Sequence, residues 1–200
     1  GSTIKKLDVP GETELYGSGV SHCATCDGPI FTNETVGVVG GGDSAADEAL
    51  TLTDYADRVI LIHREDKLDA YKVLRDRVIA SKKIDVFYNT QIEAILGDDV
   101  VCGVGVRNVV SNLVETIDLG ALFVYVGLEP NSDFLRGLVK IDNAGHIPVD
   151  LCMETEIPGI YAAGDIRQRS VAQLASAVGD GATAAITAYR YISSHEWPGG

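Results

Sequence analysis

The sequence is poor in positive charge and in long apolar runs. Its 16 Lys and Arg residues are outnumbered by 29 Asp and Glu residues, and the formal net charge is −13. That balance argues against a nucleic-acid-binding function, because phosphate backbones are bound by cationic side chains. The longest apolar runs have the length of a strand, so we expect no transmembrane helix and no membrane partner. Residues 1–11 contain no apolar run of the kind that a signal peptide needs, and we expect a cytoplasmic protein.

Cysteine is also scarce, with four residues at positions 23, 26, 102 and 152. A secreted disulfide scaffold would be denser in cysteine. In a chain without a secretion signal, Cys-x-x-Cys indicates redox chemistry or a metal site. A zinc site would need a second ligand pair, and Cys102 and Cys152 stand alone, so we predict no metal. We expect Cys102, which lies in an apolar run, to be a buried small hydrophobic residue, and we assign Cys152 no role.

Cys23 and Cys26 are followed directly by an acid, Asp27. A thiolate can attack a substrate disulfide, and a second cysteine then resolves the mixed disulfide. A neighbouring carboxylate can carry the proton. We therefore predict that Cys23, Cys26 and Asp27 are catalytic. The adjacent His22 either acts on the thiol beside it or simply faces solvent.

Residues 36–126 alternate short apolar runs with helical patterns. Continuously apolar strands are typical of a parallel sheet that is buried on both faces, and short β-rich runs between Gly, Asn and Asp indicate an antiparallel meander. The predicted order is strand 36–39, a helix from residue 44, strand 58–63, helix 69–81, strand 85–88, a meander from residue 91, and strand 122–126. The fold class is therefore α/β, with a Rossmann-like three-layer dinucleotide-binding domain that contains a β-meander.

The helix that begins at residue 44 has a core-facing stripe of Ala45, Ala49, Leu52 and Ala56. We place Tyr71, Leu74 and Val78 together on one face of the second helix.

Residues 128–200 show a different pattern. We predict a short extended piece at 147–149, a strand at 160–165 that ends in Gly-Asp, and a helix at 171–193. Ala182, Ala185, Ile186 and Tyr189 fall on one face of that helix. One strand and one helix cannot bury their own apolar faces, so we expect this segment to be part of a larger domain.

A glycine turn, which we define as Gly40-Gly41-Gly42, follows the first predicted strand and opens a helix. In this context Gly40-x-Gly42-x-x-Ala45 is typical of dinucleotide binding. Gly40 permits the tight turn, Gly42 lets the backbone approach a pyrophosphate, and Ala45 allows close helix packing. Asp43 and Ser44 begin the helix whose N-terminus would receive the pyrophosphate. The alternative is a glycine-rich turn without a ligand.

The second strand ends at His63-Arg64-Glu65, where such domains meet the adenosine ribose. Acids at this point accept hydrogen bonds from the ribose hydroxyls, whereas a 2′-phosphate would favour several arginines. One arginine here accompanies Glu65, Asp66 and Asp69. The balance favours NADH, unless these acids are only the solvated start of a helix.

Four segments together resemble the bacterial-type (low-molecular-weight) thioredoxin reductases: residues 21–28, 36–49, His63-Arg64 and 159–165. The resemblance covers essentially the whole chain. It implies an NAD(P)H domain at residues 7–128 that contains the redox cysteines, preceded by the end of an FAD-domain crossover at residues 1–6. It also implies that residues 129–200 are the C-terminal segment of an incomplete FAD domain.

The same resemblance implies the roles of individual residues. Cys26 would face the flavin, Cys23 would attack thioredoxin, and Asp27 would be the acid. Gly164 and Asp165 would hold the FAD ribitol, while Gln173 and Leu174 would approach the isoalloxazine. We add Gly127, which closes the last strand of the nucleotide domain, to the predicted cofactor-binding residues. Homodimer formation through the FAD domain is a further implication.

Three departures from the family pattern shape these expectations. The family's N-terminal strand and first glycine turn are absent here, so we expect this chain's FAD site to be incomplete. Glu65 and Asp69 replace two family arginines, which favours NADH over NADPH. Ala172 replaces an arginine that contacts the flavin.

We therefore predict a thioredoxin-disulfide reductase-like flavoprotein that passes a hydride from NAD(P)H to FAD, and electrons then to the Cys23–Cys26 disulfide and to thioredoxin. We expect the 200-residue chain on its own to be inactive, because its FAD site is incomplete. Two alternatives stay open. One is an NADH-dependent reductase of a peroxiredoxin system. The other is a fragment that only binds nucleotide and is inactive without its FAD segment.

Overall fold

The computed structural model describes residues 1–194, which divide into two compact units. One unit comprises residues 4–127, and the other comprises residues 1–3 together with the chain from residue 128. The elements are β1 (Ser2–Ile4), β2 (Val20–Ser21), α1 (Ala24–Asp27), β3 (Thr35–Val39), α2 (Asp43–Leu52), β4 (Arg58–Ile62), α3 (Lys72–Ala80), β5 (Ile84–Phe87), β6 (Thr90–Leu96), β7 (Gly103–Asn108), β8 (Val114–Asp118), β9 (Ala121–Val124), β10 (Leu128–Pro130) and α4 (Leu174–Ser194). Residues 195–200, which we assigned to the FAD-domain segment, lie outside the described residues.

The unit of residues 4–127 is built on a parallel sheet with strand order β2-β9-β3-β4-β5. Alternate side chains of each strand enter different cores, as the two-residue period of a strand requires. Val36 and Val38 pack toward α2 and α3, whereas Ile60 and Ile62 pack toward the antiparallel sheet β6-β7-β8. The predicted three layers and the meander are confirmed.

The helix α2 packs closely because three of its four buried residues, Ala45, Ala46 and Ala49, are alanines. All four residues of the predicted stripe, Ala45, Ala49, Leu52 and Ala56, are fully buried. Alanine favours the helix and allows close approach to the sheet.

The helix α3 begins three residues later than predicted, at Lys72. The preceding backbone is held in an extended path, because the Ala70 N–H donates to the Gly41 carbonyl and the Tyr71 N–H donates to Asp43 Oδ1. Tyr71 is therefore exposed rather than on the packed face, while Val78 is buried as predicted.

Cys102 is exposed, so the prediction that it is buried was wrong. It lies in the connection between β6 and β7, where its N–H donates to the Leu96 carbonyl. The apolar run around it is therefore interrupted by a turn, and neighbouring residues such as Val101 and Val104 enter the core instead.

In the other unit β1 pairs with β10, and residues 160–165 do not form the predicted strand. Only Tyr161 forms a bridge, to Glu154, and Gly164–Ile166 is a single 3₁₀ turn. The difference arises because an apolar run becomes a strand only when a neighbouring strand pairs along its length, and among the described residues the run at 160–165 has a single bridge. The predicted helix is present as α4, although it starts at Leu174 rather than at residue 171.

The predicted face of α4, which includes Ala182, Ala185, Ile186 and Tyr189, is exposed. Asp180 is instead the residue of α4 that is buried. This agrees with the expectation that the segment cannot cover its own apolar surface. None of the helices within residues 1–194 combines the length and the apolarity needed to cross a membrane.

Candidate active site

Three predicted functional segments follow strands of the same parallel sheet. The dithiol segment, which we define as residues 22–27, follows β2, the glycine turn follows β3, and residues 63–69 follow β4. Because all five strands are parallel, their carboxyl ends meet at one edge of the sheet. Ligands of open α/β sheets bind at this edge, where the strand order changes direction. Here β3 lies between β4 and β9, so the glycine turn occupies that position.

The glycine turn has the backbone that its sequence predicts. Gly40 has a φ of +145°, and a Cβ at this position would lie 2.3 Å from the Tyr125 carbonyl oxygen and 2.9 Å from the Ala45 Cβ. A Cβ on Gly42, by contrast, would meet nothing within 4 Å. Gly42 is the N-cap of α2, and no side chain caps the free N–H groups in the first turn of this helix. The start of α2 is thus open to an anion.

Asp43 and Ser44 form the first turn of α2, but they are engaged differently. Asp43 Oδ1 accepts a hydrogen bond of 2.7 Å from the Tyr71 N–H, which fixes the residues before α3. Ser44 is exposed. Of these two predicted residues, the one with a free side chain at the open helix terminus is Ser44.

Sequence reasoning missed the role of Gly41. A Cβ on this residue would lie 2.0 Å from the His63 ring, which is buried. The His63 Nε2 atom lies 3.0 Å from the Lys67 carbonyl oxygen. His63 therefore packs against the glycine turn and fixes the loop after β4.

The loop after β4 surrounds a surface depression of about 440 Å³. Its lining includes Glu65, Asp66 and Asp69, together with Lys67 and Arg75. Arg75, on α3, received no role from the sequence, since it lies ten residues beyond the predicted motif. Its Nη1 atom donates to the Leu68 carbonyl at 3.3 Å.

Arg64 and Glu65 point to solvent and pair with each other, with 3.3 Å between the Arg64 Nε and Glu65 Oε1 atoms. Exposed pairs of this kind contribute little to stability. They leave the acids in excess at this end of the site.

Cys23 and Cys26 are joined in a disulfide, with Cα atoms 5.3 Å apart. Cys23 precedes the short helix α1, and Cys26 lies within it and is exposed. Ser21, which received no role from the sequence, organises the segment. Its hydroxyl donates to Asp27 Oδ2 at 2.6 Å and accepts from the Cys23 N–H at 3.0 Å. The predicted acid is thus connected to the backbone of the first cysteine.

Tyr125, directly after β9, connects the dithiol segment to the glycine turn. Its carbonyl packs against Gly40, and its hydroxyl accepts a hydrogen bond of 3.0 Å from the Ala24 N–H. Burial raises the pKa of this phenol, and the negative charges of Glu48 and Asp27 raise it further. Tyr125 is therefore a neutral hydroxyl at physiological pH.

His22 is neither free in solvent nor in contact with the disulfide through a hydrogen bond. Its Nδ1 atom lies 3.0 Å from the Val124 carbonyl oxygen, and its ring lies 5.6 Å from the Tyr16 ring. These contacts fix the entry to the dithiol segment.

The remaining predicted cofactor residues are placed as follows. Gly127, at the end of the first unit, has a φ of +107° and its carbonyl accepts the Lys5 N–H. In the second unit, the Gly164 N–H donates to Asp180 Oδ2, and Asp165 accepts hydroxyl hydrogen bonds from Ser2 and Ser170. Gln173 and Leu174 are exposed at the start of α4.

Comparison with known proteins connects these features to one family. Residues 1–181 match the model of the pyridine nucleotide-disulphide oxidoreductase family. The chain is 42% identical to a thioredoxin reductase of Listeria monocytogenes over 199 residues, which cover 96% of this chain and 60% of that protein. It is also 42% identical to a thioredoxin reductase of Treponema pallidum, covering 97% of this chain and 63% of the relative.

Solved structures give the same result. The thioredoxin reductase of Lactococcus lactis matches with a TM-score of 0.90 and 42% identity, over 98% of this chain and 65% of that one. The enzyme from T. acidophilum matches with a TM-score of 0.87 and 38% identity, over 97% and 64%. The chain thus spans somewhat less than two thirds of the length of these relatives. The resemblance to thioredoxin reductases found in the sequence is confirmed, and the chain belongs to the pyridine nucleotide-disulphide oxidoreductase family.

Proposed function

We propose that this chain is the nucleotide-binding and disulfide-bearing part of a thioredoxin-disulfide reductase, in which a bound nicotinamide supplies a hydride and a bound flavin relays the electron pair to the Cys23–Cys26 disulfide. Thioredoxin, or a thioredoxin-like disulfide protein, is the proposed partner. The assignment of residues 7–128 to the nucleotide domain and of residues 129–200 to the FAD domain is part of this proposal. Cytoplasmic location and a homodimer stay predictions.

The observation that carries the proposal is the connection made by Tyr125. One residue contacts Gly40 through its carbonyl and the dithiol segment through its hydroxyl. A disulfide and an open dinucleotide turn are therefore fixed to each other within one compact unit. Neither a structural disulfide nor an isolated nucleotide module needs that arrangement.

The residues of the glycine turn fit a dinucleotide. The space that a Cβ would fill at Gly42 is open, and the N–H groups at the start of α2 have no side-chain cap. Together with the helix dipole they favour the pyrophosphate. In this proposal the pyrophosphate site consists of Gly40, Gly42, Ser44 and Ala45. His63, which packs against the glycine turn, would hold that turn in place.

The chemistry of the chain's own residues is thiol–disulfide exchange. The reduced Cys23 thiolate attacks one sulfur of the partner disulfide, which breaks and releases one partner thiolate. The Cys26 thiolate then attacks Cys23, so the second partner thiol leaves and the Cys23–Cys26 bond forms again. We assign to Asp27, whose carboxylate accepts a hydrogen bond from the Ser21 hydroxyl, the role of accepting and returning the proton of a cysteine.

The flavin would be held in part by Asp165, Gln173 and Leu174. Asp165 offers carboxylate oxygens beside two serine hydroxyls, and Gln173 is accessible to a ligand. The Gly164 N–H is already donated to Asp180, so this glycine contributes shape rather than a hydrogen bond. Ala172 adds no cation to this region.

NADH is the proposed nicotinamide donor. The depression after β4 is lined by three carboxylates and two cations, and Arg64 is paired with Glu65. A ribose hydroxyl is favoured over a 2′-phosphate by that excess of acids. The same feature supports the second candidate, an NADH-dependent reductase of a peroxiredoxin system.

The test is oxidation of NADH and of NADPH, in the presence of FAD, by the full-length protein that contains this chain, coupled to thiol formation in thioredoxin. We expect NADH to be the better donor and the Cys23→Ser variant to form no partner thiol. A strong preference for NADPH would contradict the role assigned to Glu65 and Asp69. Binding of the nucleotide without flavin uptake or partner reduction would favour the alternative of a nucleotide-binding module. Transfer to a peroxiredoxin-system protein but not to thioredoxin would favour the second candidate.

A further inference from the structure

Glu48, on α2, is an acid for which the proposed reaction has no role. It lies behind the dithiol segment, since α2 packs against α1. Its Oε2 atom is buried and has no hydrogen-bond partner among the described residues. An unpartnered buried carboxylate oxygen is costly, so its presence on the helix that packs against the dithiol segment calls for an explanation.

The contacts of Glu48 lead to the backbone between the two cysteines. The Ala24 N–H, directly after Cys23, donates to the Tyr125 hydroxyl at 3.0 Å, and both groups lie close enough to the Glu48 carboxylate to lower its pKa. The other titratable groups facing this cluster are Asp47 on the same helix and Asp27 on α1, the latter through Tyr125. Burial raises the pKa of Glu48, the charge of Asp47 raises it further, and the Ala24 and Tyr125 contacts partly offset this.

We propose that Glu48 is a positioning residue whose charge is coupled to the reduced dithiol, so that its carboxylate opposes ionisation of Cys23 and Cys26. This rests on the proposed function of the Cys23–Cys26 pair as a redox couple. The disulfide is neutral. Its reduction consumes two electrons and two protons and gives two neutral thiols, one of which can then lose a proton to become a thiolate. A nearby carboxylate in a poorly solvated region disfavours that second negative charge.

The coupling acts in both directions. If the Glu48 carboxylate disfavours the thiolate, the thiolate must equally disfavour the carboxylate, because linkage between two sites is reciprocal. Asp47 provides a matched comparison. It carries the same charge on the same helix, but it is exposed, and its contact with this cluster is through Glu48.

The disulfide is first reduced with dithiothreitol, whose two thiols become a cyclic disulfide as the protein disulfide opens, and the excess dithiothreitol is removed. The first measurement is then the rate at which iodoacetamide alkylates Cys23 and Cys26 against pH, read from their own peptide by mass spectrometry so that the exposed Cys102 and Cys152 do not contribute. We expect Glu48→Gln to shift the profile to lower pH by about half a unit, and so to increase the rate about threefold below the midpoint. Asp47→Asn should shift it by less than half as much. A Glu48→Gln profile that overlays the wild type, or an equal shift in Asp47→Asn, would overturn the proposal.

A second measurement needs no variant and therefore cannot fail through misfolding. The ¹³C signal of the Glu48 carboxyl is followed in the oxidised and in the reduced wild-type chain as the pH is raised through the range in which thiols ionise. We expect a second step in the signal of the reduced chain alone, because only a thiolate adds a charge near the carboxylate, and a reduced chain without that step would contradict the coupling. Because dithiothreitol supplies the electrons, both measurements are independent of nicotinamide, flavin and partner. A failed reductase assay with a positive titration would reject the proposed function and keep the coupling.

Discussion

At the scale of single residues, the three glycines of the turn have separate roles. A methyl group on Gly41 would overlap the His63 ring, whereas a methyl group on Gly42 would enter open space. We expect Gly41→Ala to destabilise the chain by about 1–3 kcal/mol, as overpacking does in a filled core. Gly42→Ala should cost less than about 1 kcal/mol, the difference between Gly and Ala at an N-cap. The measurement is urea unfolding followed by circular dichroism.

The same pair of variants separates stability from ligand binding. Gly42→Ala places its methyl group where the pyrophosphate is proposed to lie, and we expect it to weaken NADH binding about tenfold, or about 1.4 kcal/mol. Calorimetric titration measures this directly. An unchanged affinity in Gly42→Ala would mean that the dinucleotide does not use this turn.

The two cysteines are predicted to have unequal roles. Replacing Cys26 with serine leaves Cys23 without its resolving partner, so a mixed disulfide with thioredoxin should accumulate. Replacing Cys23 should give no such adduct. Non-reducing electrophoresis and mass spectrometry of each variant with oxidised thioredoxin distinguish these outcomes. Accumulation in the Cys23→Ser variant instead would reverse the assigned roles.

At the scale of elements, the connection between α4 and the Gly164–Ile166 turn depends on Asp180. Its carboxylate accepts hydrogen bonds from Arg167 at 2.5 and 2.8 Å and from the Gly164 N–H at 3.0 Å. The Arg167 hydrogen bonds hold the pKa of Asp180 below its ordinary value. Removing one partner of a buried pair leaves the other uncompensated, and we expect Asp180→Asn to lower the opening free energy of α4 by about 3 kcal/mol.

The pH dependence of this connection has a definite sign. Because the pKa is lowered in the folded state, the stabilisation is complete above the ordinary carboxyl value of about 4 and is lost as the pH falls through the folded value. The protection factors of the α4 amides, which remove the intrinsic pH dependence of exchange, should fall in that acid range in the wild type, and Asp180→Asn should lack this contribution. Asp133→Asn, which removes an exposed pair with Arg136, is the control and should change exchange little. Equal effects of the two variants would refute the role of Asp180.

Elements set by local pattern could be predicted from the sequence. The parallel strands follow from continuous apolar runs, and α2 follows from its alanine stripe. The start of α3 could not be predicted, because it depends on hydrogen bonds from Ala70 and Tyr71 to residues of the glycine turn and of α2. The apolar run at 160–165 likewise lacked a strand partner, which the sequence does not reveal.

The same distinction between local sequence patterns and tertiary contacts applies to the candidate site. The cysteine pair and the glycine turn are local motifs, so the sequence identified them with their spacing. Tyr125 lies about a hundred residues from the dithiol segment, with which it forms its hydrogen bond. Glu48 sits inside a helical pattern that explains its residue type without reference to a site. Contacts made through the tertiary fold are what the sequence alone did not provide.

At the scale of the whole molecule, net charge affects how the two nicotinamide donors bind. A formal charge of −13 repels anions at long range, although the N-terminus of α2 attracts a pyrophosphate at short range. NADPH carries one phosphate more than NADH, so the long-range repulsion penalises it more strongly. Salt screens such repulsion once the Debye length falls from about 30 Å at 0.01 M to about 8 Å at 0.15 M.

We therefore expect the preference for NADH to decrease as salt is raised, because screening helps NADPH more than NADH. Dissociation constants of both nucleotides, measured by calorimetry at the two salt concentrations, give the ratio directly. A Glu65→Gln, Asp69→Asn double variant removes the local acids but changes the total charge by a small fraction. It should reduce the preference at both concentrations while keeping the direction of the salt effect. If the wild-type ratio did not change with salt, the discrimination would reside in direct contacts after β4 and not in the field of the molecule.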